Sequence, residues 1–127
     1  MLRMSLAVAL GSAIGGVCRF WMTSWASAAM PHALPLGTIA VNIIGSFAIG
    51  AVAAVAFGNP RALGGPVGHH FLMAGVLGGF TTFSAFSLQT LILLQQGRWS
   101  DAAINVAVSV VLCLGAVSAG WAAVVRA

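Results

Sequence analysis

The sequence has no lysine, no glutamate and a single acid, Asp101, in 127 residues. Charged residues make up only 5% of the chain, too few to clothe a surface that faces water, so a soluble globular domain is excluded. The two cysteines, Cys18 and Cys113, each lie in an apolar run, where a thiol behaves as a small hydrophobe, so no disulfide and no thiolate metal site is expected. The five arginines, Arg3, Arg19, Arg61, Arg98 and Arg126, give a net charge of +4 but stand singly, without the clustered basic face that nucleic acid requires. An enzyme is not expected either. No acid falls inside the apolar stretches, and His32, His69 and His70 fall in predicted loops, where they are too few for a metal site.

What remains is hydrophobic: 61% of residues, with a mean hydropathy of +1.07, which also excludes disorder. Residues 20–60 and 62–97 contain no charged side chain, so turn chemistry has to divide the chain. Met30-Pro31-His32 with Pro35, Gly58-Asn59-Pro60-Arg61 through Gly64-Gly65-Pro66, and Gln95-Gln96-Gly97-Arg98 supply the turns. The four stretches between them, at 4–28, 37–57, 69–95 and 101–125, each reach the ~20 residues that cross a bilayer as helix. The reading is one all-α integral membrane domain over residues 1–127, with four transmembrane helices. Ser100 before Asp101 is the expected start of the last helix, a hydroxyl cap followed by an acid at the positive end of the dipole. A cleaved signal peptide is the rival reading for residues 1 to 29, because Arg3 precedes an apolar stretch and Ala26-Ser27-Ala28 resembles a cleavage site. Its apolar stretch outruns a signal core.

With four spans, Arg3, Arg61 and Arg126 fall on one side of the membrane and Arg98 with Arg19 on the other. Orientation follows the Lys/Arg asymmetry between loops, so this near balance predicts insertion both ways and an antiparallel pair. Such a pair supplies the inverted symmetry common in transport folds. Gly11/Gly15 and Gly75/Gly79 have the spacing that lets membrane helices approach closely.

Polar residues within the spans form stripes. Thr38, Asn42 and Ser46 share one face of the second helix, and Asn105, Ser109 and Cys113 share one face of the fourth. Either stripe is helix-to-helix glue or the wall of a polar conduit. In the third stretch, Gly78-Gly79 followed by Thr81-Thr82 predicts a mid-membrane helix break, whose freed carbonyls suit a cation and whose freed N–H groups suit an anion. Phe80, Phe83 and Phe86 recur every three residues and are expected on one face, against lipid or lending their positive ring edges to an anion.

Three ordered motifs, Gly15-Gly16-Val17-Cys18-Arg19, Gly37-Thr38-Ile39-Ala40-Val41-Asn42-Ile43-Ile44-Gly45-Ser46-Phe47 and Gly78-Gly79-Phe80-Thr81-Thr82-Phe83-Ser84-Ala85-Phe86-Ser87, resemble the CrcB/Fluc fluoride channel family over nearly the whole chain. The resemblance implies a multi-pass protein of the inner (plasma) membrane, a dual-topology antiparallel homodimer with two fluoride pores and a central structural sodium ion, exporting cytoplasmic fluoride passively. It implies that Asn42, Phe83 and Phe86 contact fluoride, that Thr38, Ser84, Ser87 and Ser109 continue the polar track, and that Arg19 lies near a pore vestibule. The sodium would rest on the backbone carbonyls of Gly78 and Thr81 from both subunits. The sequence departs from the family pattern at Gln89, often glutamate there, at Asn105, often tyrosine, and at Cys113, often a hydroxyl. The competing functions are a small dual-topology multidrug exporter, which would need a membrane carboxylate that this chain lacks, and a non-conducting membrane scaffold.

Overall fold

The computed structural model describes residues 1–30 and 34–127, and the expected turn residues Pro31 and His32 lie outside them. Among the described residues, four stretches are long and apolar enough to cross a membrane: Leu2–Ala29, Leu36–Gly58, Ala62–Gln95 and Trp99–Val125. The first, second and fourth are single helices, α1 (Leu2–Ala29), α2 (Leu36–Gly58) and α6 (Trp99–Val125). The third is composite. A 3₁₀ turn (Ala62–Gly64) leads into α3 (Gly65–His69), a π-helix (His70–Leu77) and α4 (Gly78–Phe80), and after an interruption the chain resumes as α5 (Phe83–Gln95).

The interruption is made by two threonines with different tasks. Thr81 (ψ 159°) ends α4, its amide and hydroxyl both returning to the Leu77 carbonyl at 3.0 Å. Thr82 (φ −153°, ψ 116°) is the N-cap of α5, its Oγ1 accepting from the Ala85 amide at 3.2 Å. Within the stretch expected to break, Gly78-Gly79 is still helical, with Gly78 at φ −64°, ψ −37°, and the break falls on the threonine pair. Those glycines serve close packing. A Cβ on Gly79 would lie 2.7 Å from the Ser12 carbonyl oxygen, and one on Gly15 would collide with the Val76 carbonyl. The interruption also separates Phe80 from Phe83 and Phe86, so the three rings do not share a face as their spacing predicted.

Two helix pairs built on glycine contacts organise the bundle. α1 lies against the π-helix and α4, where the Gly11/Gly15 and Gly75/Gly79 spacings meet each other: a Cβ on Gly11 would sit 2.9 Å from Gly75 Cα. α2 lies against α6 in the same manner, Gly50 facing the Val117 carbonyl and Gly120 facing the Phe47 carbonyl.

At the α5–α6 turn, Gly97 (φ 73°) takes the left-handed conformation, while the Arg98 amide bonds to the Leu93 carbonyl and the Gly97 amide to Leu94. This Schellman turn starts α6 at Trp99, with Arg98 as the N-cap residue, so Ser100 is inside the helix rather than its cap. Asp101 still faces the positive helix end, and it also accepts from Arg98 Nε at 2.7 Å. His69 and His70 are helical instead of lying in a loop. Their ring nitrogens sit 2.9 Å from the Ala62 carbonyl and 2.7 Å from the Pro66 carbonyl.

Candidate functional site

Asn42 projects from the second turn of α2 toward the interruption 40 residues later in sequence. Its Oδ1 accepts from the Thr82 amide at 2.8 Å and its Nδ2 donates to the Thr82 carbonyl at 3.1 Å. Both backbone polar groups of an extended residue are thereby met by one side chain. This reciprocal pair fixes the amide orientation, and the second N–H of Asn42 remains uncommitted. The same side chain that ties α2 to the interruption also lines an open cleft.

The cleft has a volume of about 390 Å³ and is walled by α2, the interruption, α5 and α6. Asn42, Gly45, Ser46 and Ile49 come from α2, Thr81, Thr82, Phe83 and Phe86 from the third span, and Ser109, Val110, Cys113 and Leu114 from α6. The lining has no charged side chain. The rings of Phe83 and Phe86 lie 5.3 Å apart at an interplanar angle of 48°, and Phe83 is 78% exposed on a single chain. The N-terminus of α5 opens at Phe83, so the positive end of a helix dipole meets this wall.

Thr82 also lines a neighbouring cavity of about 230 Å³, with Gly16, Arg19, Phe20, Thr23, Thr38, Ala85 and Gln89. Thr23, Thr38 and Gln89 in turn line a third space of about 120 Å³, which reaches Ser27, Pro35 and Gly37 near the ends of α1 and α2. The α2 stripe is therefore divided: Asn42 and Ser46 face the cleft, and buried Thr38 faces the side that holds Arg19. Arg19 supplies the positive charge of that side. Gln89 Oε1 is buried there without a hydrogen-bond partner among the described residues.

Of the residues singled out in the sequence, Asn42, Phe83, Phe86 and Ser109 meet in the cleft, and Thr38 and Arg19 meet in the cavity beside it. Ser84 lines neither space, and its Oγ lies 3.2 Å from Thr82 Oγ1, which borders both. Ser87 is placed differently: its hydroxyl turns back onto the Phe83 carbonyl at 2.9 Å, and it lines neither space. Thr82 was missed by the sequence reading. It joins the two spaces, receives Asn42 and caps α5, and the signal for the last of these was a threonine three residues before Ala85 at a helix start. The carbonyls of Gly78 and Thr81 both lack their helical donors, because the Thr82 amide goes to Asn42 and the Ala85 amide goes to Thr82 Oγ1.

Comparison with known proteins gives the same direction. Residues 6–121 match the family described as CrcB-like protein, Camphor Resistance (CrcB). The chain is similar to the fluoride-specific ion channel FluC of Opitutus terrae, 50% identical over 120 residues that cover 94% of this chain and 91% of the relative. It is 47% identical over 116 residues to the protein of that name from Paramagnetospirillum magneticum, covering 91% of each. With the one from Elusimicrobium minutum it shares 42% identity over 124 residues, 97% of this chain and 94% of the relative. A family match running from the first turns of α1 to the last turns of α6, on a chain whose cleft takes Asn42, Gly45, Ser46, Thr81, Thr82, Phe83 and Phe86 from the motifs that carried the resemblance, means that this protein belongs to the CrcB-like family.

Proposed function

We propose that this protein is a fluoride channel of the inner (plasma) membrane, through which fluoride leaves the cytoplasm passively along the uncharged cleft of each copy in an antiparallel homodimer. The observation that carries the reading is the donor arrangement around Asn42. Its amide is locked by Thr82, one N–H remains for a ligand, and the rings of Phe83 and Phe86 stand beside it.

Fluoride is small and strongly hydrated, so it enters only where donors replace its water. The free N–H of Asn42, the Ser109 hydroxyl and the α5 N-terminus serve as donors, and the positive edges of Phe83 and Phe86 complete the shell weakly. Weak, repeated contacts let the ion leave again, and a fixed cation among them would hold it. Arg19 stands one cavity away, where it draws anions toward the entrance without lining the narrow part. Thr38 and Ser84 extend the donors on that side, and Ser87 has its hydroxyl committed to Phe83.

A sodium ion fits the interruption. Hard cations take oxygen ligands, and the Gly78 and Thr81 carbonyls are the ones released there. One chain offers two such oxygens and an antiparallel partner offers the matching two. When bound, the ion would supply positive potential beside the interruption, held by these carbonyls. Pairing is supported by the exposure of Phe83 on a single chain and by the balanced arginines. A multidrug exporter is disfavoured, since the lining carries no carboxylate and Asp101 is paired with Arg98 at a helix end.

Purified protein in liposomes is expected to release fluoride to an electrode in a chloride-insensitive manner, and Phe83→Ile is expected to reduce the release while the dimer persists. A ring edge is worth about 1 kcal/mol, so the reduction is roughly five- to tenfold. Vesicles that retain fluoride, as a scaffold would, overturn the reading. Dual insertion has its own check: a cysteine replacing Ala62, in the turn before α3, should be labelled only in part from outside intact cells, and complete labelling from one side refutes it.

A further inference from the structure

Two residues of α2, one turn apart on the same face, hold the two threonines of the interruption. Asn42 holds Thr82 by hydrogen bonds, and Gly45 meets Thr81 by shape. Gly45 is buried, and a Cβ built on it would collide with the γ-methyl of Thr81. The next atoms, Phe80 Cδ1 at 3.4 Å and Thr81 Cβ at 3.7 Å, stand at ordinary contact distance, so it is the methyl that requires a glycine there. The Thr81 hydroxyl is fixed separately, on the Leu77 carbonyl at 3.0 Å. With its methyl seated and its hydroxyl bonded, this β-branched side chain keeps one rotamer.

The side chain thereby steadies the peptide that joins the two threonines. One end of that peptide is the Thr82 N–H, which donates to Asn42 Oδ1 at 2.8 Å. The other end is the Thr81 carbonyl, which in a trans peptide points the opposite way. It lacks its helical donor, because the Ala85 amide goes to Thr82 Oγ1. We propose that Gly45 is a positioning residue for a cation: its bare Cα seats the Thr81 methyl and so aims the Thr81 carbonyl at the proposed sodium ion. A Cβ on Gly45 can be relieved in two ways. Either Thr81 changes rotamer, and both other staggered positions take its hydroxyl off Leu77, or its main chain moves away from α2 and turns the peptide against the grip of Asn42. Both loosen the carbonyl. The inference rests on the sodium reading above and adds to it the residue that aims the ligand.

The test uses the full-length protein purified in detergent, with melting followed as sodium chloride replaces N-methylglucamine chloride at constant ionic strength. Losing an outer contact that orients a metal ligand weakens binding by about ten- to 100-fold, so Gly45→Ala should raise the sodium concentration at half of the melting shift by that factor. Thr81→Ser removes the methyl and keeps the hydroxyl, so the double variant Gly45→Ala/Thr81→Ser should recover most of the loss. Gly50→Ala is the control for packing alone. Its Cβ would collide with the Val117 carbonyl of α6 instead of the interruption, so it should lower the melting temperature and leave the sodium midpoint in place. A Gly45→Ala protein with the original midpoint, a double variant no better than the single one, or a Gly50→Ala midpoint that moves as far overturns the proposal. Should Gly45→Ala not fold, the double variant decides: a folded protein with a near-normal midpoint supports the seat, and a weakened midpoint or a failure to fold refutes it. An unaltered protein whose melting ignores sodium defeats the sodium reading and this inference together, whereas sodium-dependent melting with an unmoved Gly45→Ala midpoint defeats the inference alone.

Discussion

Replacing Asn42 by aspartate should almost abolish fluoride efflux at neutral pH. The carboxylate keeps the bond from the Thr82 amide, but it has no proton to give the Thr82 carbonyl and none to give an anion in the cleft. Each lost or orphaned donor contact costs about 1–3 kcal/mol, which on its own is a roughly 5- to 150-fold fall in rate. The added negative charge at membrane depth repels fluoride as well, so the combined loss exceeds that range. Asn42→Leu separates the two contributions. It introduces no charge, yet it leaves the amide of Thr82 unmet beside the interruption, so unfolding in detergent should shift by about 1–3 kcal/mol along with the loss of flux. Efflux from liposomes and melting curves of the purified protein give both readouts. An Asn42→Asp protein that conducts like the original removes Asn42 from the permeation path. An Asn42→Leu protein of unaltered stability shows that Thr82 finds its partners elsewhere.

How far the molecule was legible in its sequence depends on the range of the interaction concerned. Span ends were set locally by turn residues, and α1, α2 and α6 end within a few residues of the expected 4–28, 37–57 and 101–125. The glycine spacings in the first and third stretches were visible too, although that these two stripes meet each other is a tertiary fact. The polar stripes could be placed on helix faces, but a face does not say what it looks at. Thr38 and Asn42 share a stripe and serve different cavities. The interruption was expected in the stretch from Gly78-Gly79 to Thr81-Thr82, because paired glycines followed by paired β-branched hydroxyl residues weaken a helix. It falls at Thr81-Thr82 because Asn42 satisfies the Thr82 backbone there and because α1 needs Gly79 bare, both long-range causes. Ser100 was read as a cap from its local pattern, and the Gly97 turn with the Arg98–Asp101 pair started the helix earlier. The Thr90–Asn105 bond joins two helices across the last turn and left no mark in the pattern.

The second large effect is expected from two neighbouring glycines that behave oppositely. Gly15→Ala should destabilise the fold by about 1–3 kcal/mol, the usual cost of overpacking a tight contact, and Gly15→Leu should prevent recovery of folded protein. A Cβ on Gly15 would collide with the carbonyl of Val76 and lie 2.8 Å from the amide nitrogen of Phe80. Both are main-chain atoms of the third span, so no rotamer change relieves the contact and the helices must part. Parting has a functional reading, because the segment displaced, Val76 to Phe80, ends at the threonine pair that Asn42 holds. Flux should therefore fall in Gly15→Ala by more than its fraction of unfolded protein accounts for. Gly16, one residue on, has nothing among the described residues within 4 Å of its would-be Cβ. Gly16→Ala relieves the low helix propensity of glycine and should raise stability by up to about 1 kcal/mol. Chemical unfolding of the two alanine variants in the same detergent compares them directly. Equal stabilities would mean that α1 does not pack on the third span through Gly15. A Gly15→Ala protein with normal stability and lowered flux would place the action of that contact on the interruption alone.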